Sequence, residues 1–346
     1  MKPARPTATS LLDIFATMPI DWSPLAAAVA DCDRFVLTTH IRPDGDALGS
    51  EVGMAGLLRL LGKEVRVVNT SLTPPRYGYL DEAGTLFEHF STGVTAGELD
   101  DRQALIILDL SSWGQLGDMS EFVRGFAGKK LVLDHHVSQD DLGAQVMKDT
   151  TAEATGTLVL RACRELGVAP DREMATGILT AIAMDTGWFR HPSTSPQTFR
   201  DAAELVEAGA RADDIYKTLF ERNTMGRLKM MGETLAALKT DLGGRVAYAA
   251  ITREDFERTG AIPADTEDLV DYTVSLEGVL VGLLFIEQKR GGIKLSVRSR
   301  GGLDCAHLVG SFGGGGHRAA AGATLADPLV EAIPRVLDVV RAALGG

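Results

Sequence analysis

Short apolar runs alternate with helical patterns along the first half of the chain. Four runs predict buried strands: Phe35–His40, Glu64–Asn69, Ala104–Leu110 and Lys130–Asp134. Three segments have the apolar spacing of helices: Ala47–Leu61, Ala154–Leu166 and Arg172–Asp185. Gly62 follows the first of them at a position typical of a helix C-terminus. Strands that alternate with helices favour an α/β fold with an open, mostly parallel sheet.

The second half begins with helical patterns and continues with strands. Ser195–Ala208 and Asp213–Leu238 are predicted helices, and the second is interpreted as an interdomain connector. Strand-like runs follow at Arg245–Thr252, Val279–Gln288 and Gly291–Ser299, with a hairpin turn at residues 288–292 between the last two. The pattern therefore predicts a domain at residues 1–210, a helical linker at 211–238 and a smaller α/β domain at 239–346.

Composition and charge limit the classes of function. The chain has 346 residues, which fits roughly two domains. Its three cysteines lie far apart in sequence, so we expect no disulfide framework and a reducing, cytoplasmic location. The sequence has no apolar run of the ~20 residues that would span a membrane. The net charge of −12 argues against a grip on long duplex DNA, but not against a short anionic substrate.

Acidic and histidine residues follow the predicted strands at their carboxyl ends. They are His40, Asp44 and Asp46 after the first strand, Asp109 after the third, and Asp134, His135 and His136 after the fourth; Asp185 ends a predicted helix. In an open α/β sheet the loops beyond the strand ends form the ligand crevice. We therefore expect these side chains to meet at one edge of the sheet.

A single aspartate after a strand usually forms a turn or caps a helix, and a pair of histidines is often on the surface. The joint pattern at several element ends favours a metal site instead, because clustered carboxylates repel one another unless cations neutralise them. Oxygen and imidazole ligands suit Mn²⁺ first, and Mg²⁺, Zn²⁺ or Co²⁺ less selectively. Two such ions would activate water and hold a phosphoryl group.

Five segments resemble the motifs of DHH phosphoesterases. They are His40–Ser50 (HIRPDGDALGS), Asp109 in LDLS, the tripeptide Asp134-His135-His136, Asp185–Arg190 (DTGWFR), and Gly313–Gly322 (GGGGHRAAAG), which resembles the signature of the associated DHHA1 domain. The resemblance covers nearly the whole chain. It implies a DHH catalytic domain with a mostly parallel sheet, followed by the helical linker and a DHHA1 substrate-binding domain.

The resemblance also implies roles for individual residues. One metal ion would be held by His40, Asp44 and Asp109. A second would be held by Asp46, Asp109, His135 and Asp185, with Asp109 as the bridge. His136 would face the substrate phosphate, and Asp134 would orient the neighbouring histidine. Gln139 stands where many nuclease-type members have asparagine.

The second domain is expected to bind the terminal nucleotide through a glycine loop and an arginine. The residues implied are Arg298, Gly314, Gly315, Gly316 and His317, together with Arg190 of the fourth motif. Residues 285–320 contain six Lys or Arg residues and two acids, against the acidic balance of the chain. Backbone N–H groups and an arginine are common phosphate ligands, although a bare glycine run is more often a flexible turn.

Length and spacing are most similar to the NrnA-type branch, whose members degrade very short RNAs and dephosphorylate 3′-phosphoadenosine 5′-phosphate (pAp). The leading hypothesis is therefore a metal-dependent oligoribonuclease and pAp phosphatase. A phosphodiesterase for linear or cyclic dinucleotides is the alternative within enzymes, and a nucleotide-binding sensor is the alternative from another class. The expected partners are short RNA and mono- or dinucleotides; the sequence leaves open whether the chain forms a homodimer.

Overall fold

The computed structural model describes residues 20–137, 139–289, 291–301, 303–316 and 318–345. His317, one of the predicted substrate-binding residues, lies outside them. The chain divides into two compact units, Met1–Glu221 and Arg222–Gly346, which are described separately. Within the described part of the chain, no helix is long and apolar enough to cross a membrane.

The first unit is built on a parallel sheet. Its strands are β1 (Arg34–Thr38), β2 (Glu64–Asn69), β3 (Phe87–His89), β4 (Ala104–Leu108), β5 (Lys129–Asp134) and β6 (Gln145–Lys148). They lie in the order β3-β2-β1-β4-β5-β6, and every described pair is parallel. The predicted α/β class with a parallel sheet is confirmed. The two edge strands, β3 and β6, were not predicted, because both are short and carry little apolar pattern.

Helices cover both faces of this sheet, which is why the central strands are mostly apolar and buried. The helices are α1 (Ser23–Asp31), α2 (Gly45–Leu60), α3 (Met119–Gly125), α4 (Thr155–Glu165), α5 (Arg172–Asp185), α6 (Pro196–Glu207) and α7 (Ala212–Tyr216). All five residues of β4 are buried. The two faces bury separate apolar clusters, one around Phe35 and Leu37 and the other around Val36 and Ile107.

A close helix contact places two of the predicted acidic residues. Helices α2 and α5 approach at Gly49, where a Cβ atom would lie only 2.2 Å from the carbonyl oxygen of Gly177. Any side chain at Gly49 would push the helices apart. Asp46 lies in the first turn of α2 and Asp185 is the last residue of α5. The glycine contact therefore fixes the positions of the helix ends that carry them.

The second unit contains a mixed sheet. Its strands are β7 (Lys239–Asp241), β8 (Val246–Ile251), β9 (Val281–Glu287), β10 (Ile293–Ser299), β11 (Gly315–Gly316) and β12 (Ala320–Leu325), in the order β11-β12-β10-β9-β8-β7. Its helices are α8 (Met225–Ala236), α9 (Arg253–Thr259), α10 (Val270–Val274), α11 (Cys305–Gly310) and α12 (Leu329–Ala343). The β9–β10 pair is antiparallel, as the predicted hairpin requires, and β8–β9 is parallel.

The single helix predicted for Asp213–Leu238 is wrong. Helix α7 runs into a π-helical turn at Lys217–Glu221, and α8 starts afresh at Met225. The side chain of Thr224 accepts a hydrogen bond from the backbone N–H of Arg227 at 2.9 Å, which is the geometry of a helix N-cap. Thr224 is a typical N-cap residue and could have indicated the break, but the apolar spacing of a helix continues on both sides of it. The boundary between the two units, at Glu221 and Arg222, falls at this interruption.

Candidate metal centre

Asp109 lies at the middle of a carboxylate and imidazole cluster at the carboxyl edge of the parallel sheet. It directly follows β4 and has a left-handed backbone, with φ at 61°. Its N–H donates to the carbonyl of Leu133 at 3.0 Å, so the turn is tied to β5. Thr155 donates its hydroxyl to Oδ1 of Asp109 at 2.9 Å. The side chain is buried, and the hydrogen bond from Thr155 orients its carboxylate.

The first group of donors faces one oxygen of Asp109. His40 Nε2 lies 3.5 Å from Asp109 Oδ2 and 3.9 Å from Asp44 Oδ1. The other ring nitrogen of His40, Nδ1, lies 2.9 Å from the carbonyl of Ile41. If Nδ1 donates there, Nε2 keeps a lone pair for a metal ion. The ligand atoms of these three residues all lie within 4.8 Å of one another.

The second group surrounds His135. Its Nε2 lies 3.6 Å from Asp46 Oδ2, 3.6 Å from Asp109 Oδ1 and 3.6 Å from Asp185 Oδ2. Its Nδ1 lies 3.1 Å from the carbonyl of Ala152. Donor atoms of Asp46, His135 and Asp185 again lie within 4.8 Å of one another. The six predicted ligands thus form two groups that meet at Asp109. Asp109, His135 and His136 form a third group of candidate donors within the same 4.8 Å.

Backbone groups of a third segment hold Asp46 in this second group. The N–H groups of Thr155 and Gly156 donate to its two oxygens at 2.8 and 2.9 Å. Both belong to the first turn of α4, where N–H groups lack partners inside the helix and favour negative charge. Thr155 and Gly156 were not predicted to contact the site. A threonine and a glycine opening a predicted helix were the available signal.

The cluster contains more buried carboxylates than positive charges, so cations or protons are needed to neutralise it. Burial, reinforced by Asp46 and Asp44, raises the pKa of Asp109 well above its ordinary value. Burial also raises the pKa of Asp185, to about 7. Burial opposes protonation of His135, but the carboxylates of Asp46, Asp109 and Asp185 outweigh it and raise its pKa to about 9. Protons and divalent cations would therefore compete for the same donors, and the donor set fits a metal centre.

His136 differs from His135 in its hydrogen bonds to Asp134, although its Nδ1 also lies 3.6 Å from Oδ1 of Asp109. Its backbone N–H and its Nδ1 lie 3.1 and 2.8 Å from Oδ1 of Asp134. Asp134 is fully buried, and its other oxygen accepts from Ser111 Oγ at 2.6 Å. Burial favours the neutral acid, but hydrogen bonds from His136 and Ser111 and the charge of Lys148 hold the pKa of Asp134 below its ordinary value. Asp134 thus contacts His136 directly; that it orients the histidine for catalysis stays a prediction.

Two family models match this chain. The DHH family, N-terminal domain, matches residues 34–183, and the DHHA1 domain matches residues 233–346. A bifunctional oligoribonuclease and PAP phosphatase, NrnA, from Thermus thermophilus is 33% identical over 310 residues, covering 88% of this chain and 88% of that relative. The chain belongs to the DHH family. The NrnA of Bacillus subtilis is 25% identical, covering 85% of this chain and 90% of its own.

Solved structures carry the same fold. An exopolyphosphatase-related protein from Bacteroides fragilis superposes with a TM-score of 0.87 at 24% identity, covering 95% of this chain and 97% of its own. RecJ from Thermus thermophilus, in complex with Mn²⁺, has a TM-score of 0.55 at 15% identity and covers 95% of this chain and 55% of its own. At these identities the likeness concerns the fold. It shows that both domains of this DHH protein have the expected architecture.

Arg190, in the fourth DHH motif, follows α5 on the surface. Its Nε donates to the carbonyl of Gly187 at 2.6 Å, and the side chain is otherwise exposed. Gln139, at the position where asparagine is frequent, is exposed as well. Neither side chain contacts a member of the cluster through a described hydrogen bond or ion pair. Their roles toward substrate stay predictions.

Arg298 of the DHHA1 domain lies on β10 and is partly buried. Its Nε donates to Oδ1 of Asp271 at 2.8 Å, and its Nη1 to the carbonyl of Val297 at 3.3 Å. Asp271 was not singled out in the sequence. It is a lone acid in helix α10, and nothing in its neighbourhood along the chain indicates an arginine partner. The ion pair aligns the guanidinium of Arg298 along one edge.

The predicted glycine loop forms a short strand. Gly315 and Gly316 pair with β12. A Cβ atom at Gly314 would lie 2.3 Å from the carbonyl oxygen of Gly322, so glycine is needed there for packing. Gly315 has open space around it. Close packing explains Gly314 without a ligand, whereas the bare, exposed backbone at Gly315 is suited to the approach of a phosphate.

A further buried acid near the cluster was also missed. Glu51, on α2, accepts a hydrogen bond from Asn69 Nδ2 at 2.7 Å. The Oδ1 of Asn69 accepts from the N–H of Thr39, the residue before His40, at 3.1 Å. Burial raises the pKa of Glu51 to about 8. Glu51 therefore stabilises the turn that contains His40. It was not predicted because it lies one residue beyond the first motif, which ends at Ser50.

Proposed function

We propose that this protein is a two-metal phosphoesterase that hydrolyses short oligoribonucleotides to mononucleotides and dephosphorylates pAp. The observation that carries the proposal is the position of Asp109 between the two donor groups. Its Oδ2 faces His40 at 3.5 Å and its Oδ1 faces His135 at 3.6 Å. A carboxylate placed in this way can bridge two cations. The NrnA relatives, which carry both activities in their names, support the choice of substrates.

The proposed ligand sets follow the two groups. His40, Asp44 and Asp109 would hold one ion, and Asp46, Asp109, His135 and Asp185 the other. Mn²⁺ is the proposed ion, because mixed carboxylate and imidazole donors suit it. Two bound cations supply activation of a water molecule and compensation of charge on the phosphoryl oxygens.

The remaining chemistry belongs to residues of the chain. Asp134 holds His136 through Nδ1, and Nε2 is the ring nitrogen proposed to contact the substrate. When His136 is an imidazolium, with a hydrogen on both ring nitrogens, Nε2 can donate a hydrogen bond to a phosphate oxygen or a proton to the leaving oxygen. Coordination through Nδ1 would break the 2.8 Å hydrogen bond to Asp134. His136 is therefore proposed as a substrate contact and not as a metal ligand.

Substrate length is proposed to follow from the distribution of charge. Arg298 and the exposed backbone at Gly315 offer sites for one phosphate or nucleotide. The chain as a whole carries a net charge of −12, so a long polyanion would meet repulsion beyond those first contacts. Cytoplasmic location is part of the proposal. The buried free thiols Cys32, Cys163 and Cys305 fit a reducing compartment.

The proposal is tested by incubating the purified protein with a labelled RNA dinucleotide, pApA and pAp, with Mn²⁺ and with a chelator. We expect mononucleotides from the RNA and AMP from pAp, in the presence of Mn²⁺ only. Asp109→Asn is the matched control, because it keeps the size of the side chain. Hydrolysis of pApA alone would favour the dinucleotide phosphodiesterase. Binding of nucleotide without turnover would favour the sensor and overturn the proposal.

A further inference from the structure

The edge strand β6 places a lysine behind Asp134. In the parallel pair of β5 and β6, Asp134 and Lys148 are Cα partners. The Nζ atom of Lys148 lies 3.0 Å from Oδ2 of Asp134 and donates to Ser111 Oγ at 2.6 Å. Ser111 in turn donates to the same carboxylate oxygen at 2.6 Å. An ammonium, a hydroxyl and a carboxylate thus form a closed triangle.

The triangle continues to His136 through the second oxygen of Asp134. Oδ2 accepts from Ser111 and Lys148, whereas Oδ1 accepts from the backbone N–H and the Nδ1 of His136. Each oxygen of the carboxylate therefore has two donors. Lys148 and Ser111 fix the orientation of the Asp134 carboxylate through Oδ2. That orientation determines the position of Oδ1, which holds the ring of His136.

Burial makes the arrangement sensitive to the loss of any member. The side chain of Asp134 is 0% exposed and that of Lys148 is 13% exposed. A buried carboxylate that loses its cationic partner is left with an uncompensated charge. It would recover hydrogen bonds by turning toward other donors. That rotation moves the acceptor that holds Nδ1 of His136.

We propose that Lys148, bridged by Ser111, is a positioning residue for His136: its ammonium locks the Asp134 carboxylate, which keeps a hydrogen on Nδ1 of His136 and thereby orients the imidazole ring. The inference rests on the proposed hydrolysis of phosphoesters and goes beyond it, because the ligand set does not include Lys148. A merely structural ion pair would change the stability of the protein and leave the turnover of the folded fraction unaltered.

The experiment compares four variants with the wild type. Lys148→Met removes the charge and keeps an unbranched side chain, and Lys148→Arg restores the charge. Ser111→Ala removes the hydroxyl bridge and keeps both charges. Lys130→Met is the matched control, because Lys130 lies on the neighbouring strand β5 and its Nζ contacts the carbonyl of Val123 at 3.3 Å. For each variant kcat, KM for an RNA dinucleotide, bound metal and melting temperature are measured.

We expect Lys148→Met to lower kcat by about 10- to 100-fold, by analogy with the loss found when hydrogen-bonding partners behind a metal-binding histidine are removed. KM and bound metal should stay near the wild-type values. Lys148→Arg should recover a substantial part of kcat, Ser111→Ala should fall between the two, and Lys130→Met should match the wild type. Wild-type kcat in Lys148→Met, or a loss of kcat that parallels a loss of metal, would overturn the proposal.

A spectroscopic readout separates this inference from the proposed function. In protein with ¹⁵N-labelled histidine and bound Mg²⁺, the nitrogens of His136, assigned with His136→Gln, should show a hydrogen on Nδ1 in the wild type and in Lys148→Arg. Lys148→Met should lose that single tautomer. Inactivity of the wild type on every substrate would sink the proposed function but leave this readout intact. An unchanged tautomer in folded Lys148→Met would sink the positioning role alone.

Discussion

Oδ2 of Asp109 lies 3.5 Å from Nε2 of His40, across the ends of two neighbouring parallel strands. The contact depends on the left-handed backbone of Asp109, whose φ is 61°. Among side chains with a Cβ atom, aspartate and asparagine tolerate that region best. This backbone conformation directs the Asp109 carboxylate toward the other acidic and histidine residues of the site, directly after the end of β4. It also determines which substitution tests the role of Asp109 with least damage to the fold.

The first prediction concerns Asp109→Asn, which keeps both shape and backbone tolerance. Turnover should fall below a tenth of the wild-type value at matched Mn²⁺, because a bridging ligand serves both ions. The metal-free variant should melt no lower than metal-free wild type, since one of the crowded carboxylates is gone. Turnover in Mn²⁺ and melting temperature with and without metal are the measurements. A variant that keeps more than a tenth of the activity would contradict the bridging role.

The fold was largely predictable because its strands are strongly apolar. The run at β4 is buried at every position, and the strand of Glu64–Asn69 has the predicted bounds. The helix of Arg172–Asp185 does as well. The connector was not predictable from periodicity, since the apolar spacing continues across the break before Met225. The edge strand of Lys148 was not predicted because it is short and only one of its four residues, Met147, is buried.

The six predicted ligands lie together because each follows a strand or ends a helix at one edge of the sheet. Their supports were harder to predict. Thr155 and Gly156 contact Asp46 from 109 and 110 residues away in the sequence. Such contacts depend on how α4 packs against α2, and the local sequence around either residue does not predict that packing. The pairing of Arg298 with Asp271 is a tertiary contact of the same kind.

The second prediction separates the two adjacent histidines. His136→Ala should keep bound metal and lose at least about tenfold in kcat, because general acid or hydrogen-bond catalysis is commonly worth 10²–10⁴-fold. His135→Ala should lose metal, since its Nε2 lies among three carboxylates. Metal content after dialysis and kcat are measured on the same samples. If His136→Ala lost as much metal as His135→Ala, His136 would be a ligand and the assignment would fail.

The third prediction concerns Arg298. Arg298→Ala should raise KM for short RNA by about 10- to 100-fold, as expected for a charge-assisted contact of roughly 1.5–3 kcal/mol. Lys294→Ala is the control, because it removes a positive charge from the same strand at an exposed position. Bound metal should be equal in both variants. A KM for Arg298→Ala that matches the control would remove Arg298 from the substrate site.

The fourth prediction follows from Glu51. Because its pKa in the folded protein is raised from 4.5 to about 8, its stabilising contribution is present below about pH 4.5 and is lost as pH rises through about 8. Glu51→Gln keeps an oxygen to accept from Asn69 and cannot ionise. Its unfolding free energy, measured in urea, should exceed that of the wild type by a margin that is small near pH 5 and roughly 2–4 kcal/mol near pH 8. Parallel curves for the two proteins would contradict the shifted pKa.

The most direct test of the whole account is the rate of hydrolysis as a function of RNA length, with Mn²⁺ and with a chelator. RNAs of two to five nucleotides and of twenty-four nucleotides are compared at equal concentrations of ends. The account predicts that kcat/KM is highest for the short RNAs and that the chelator abolishes hydrolysis of every length. Equal kcat/KM for dinucleotides and twenty-four-mers, or hydrolysis that persists without a divalent ion, would contradict it.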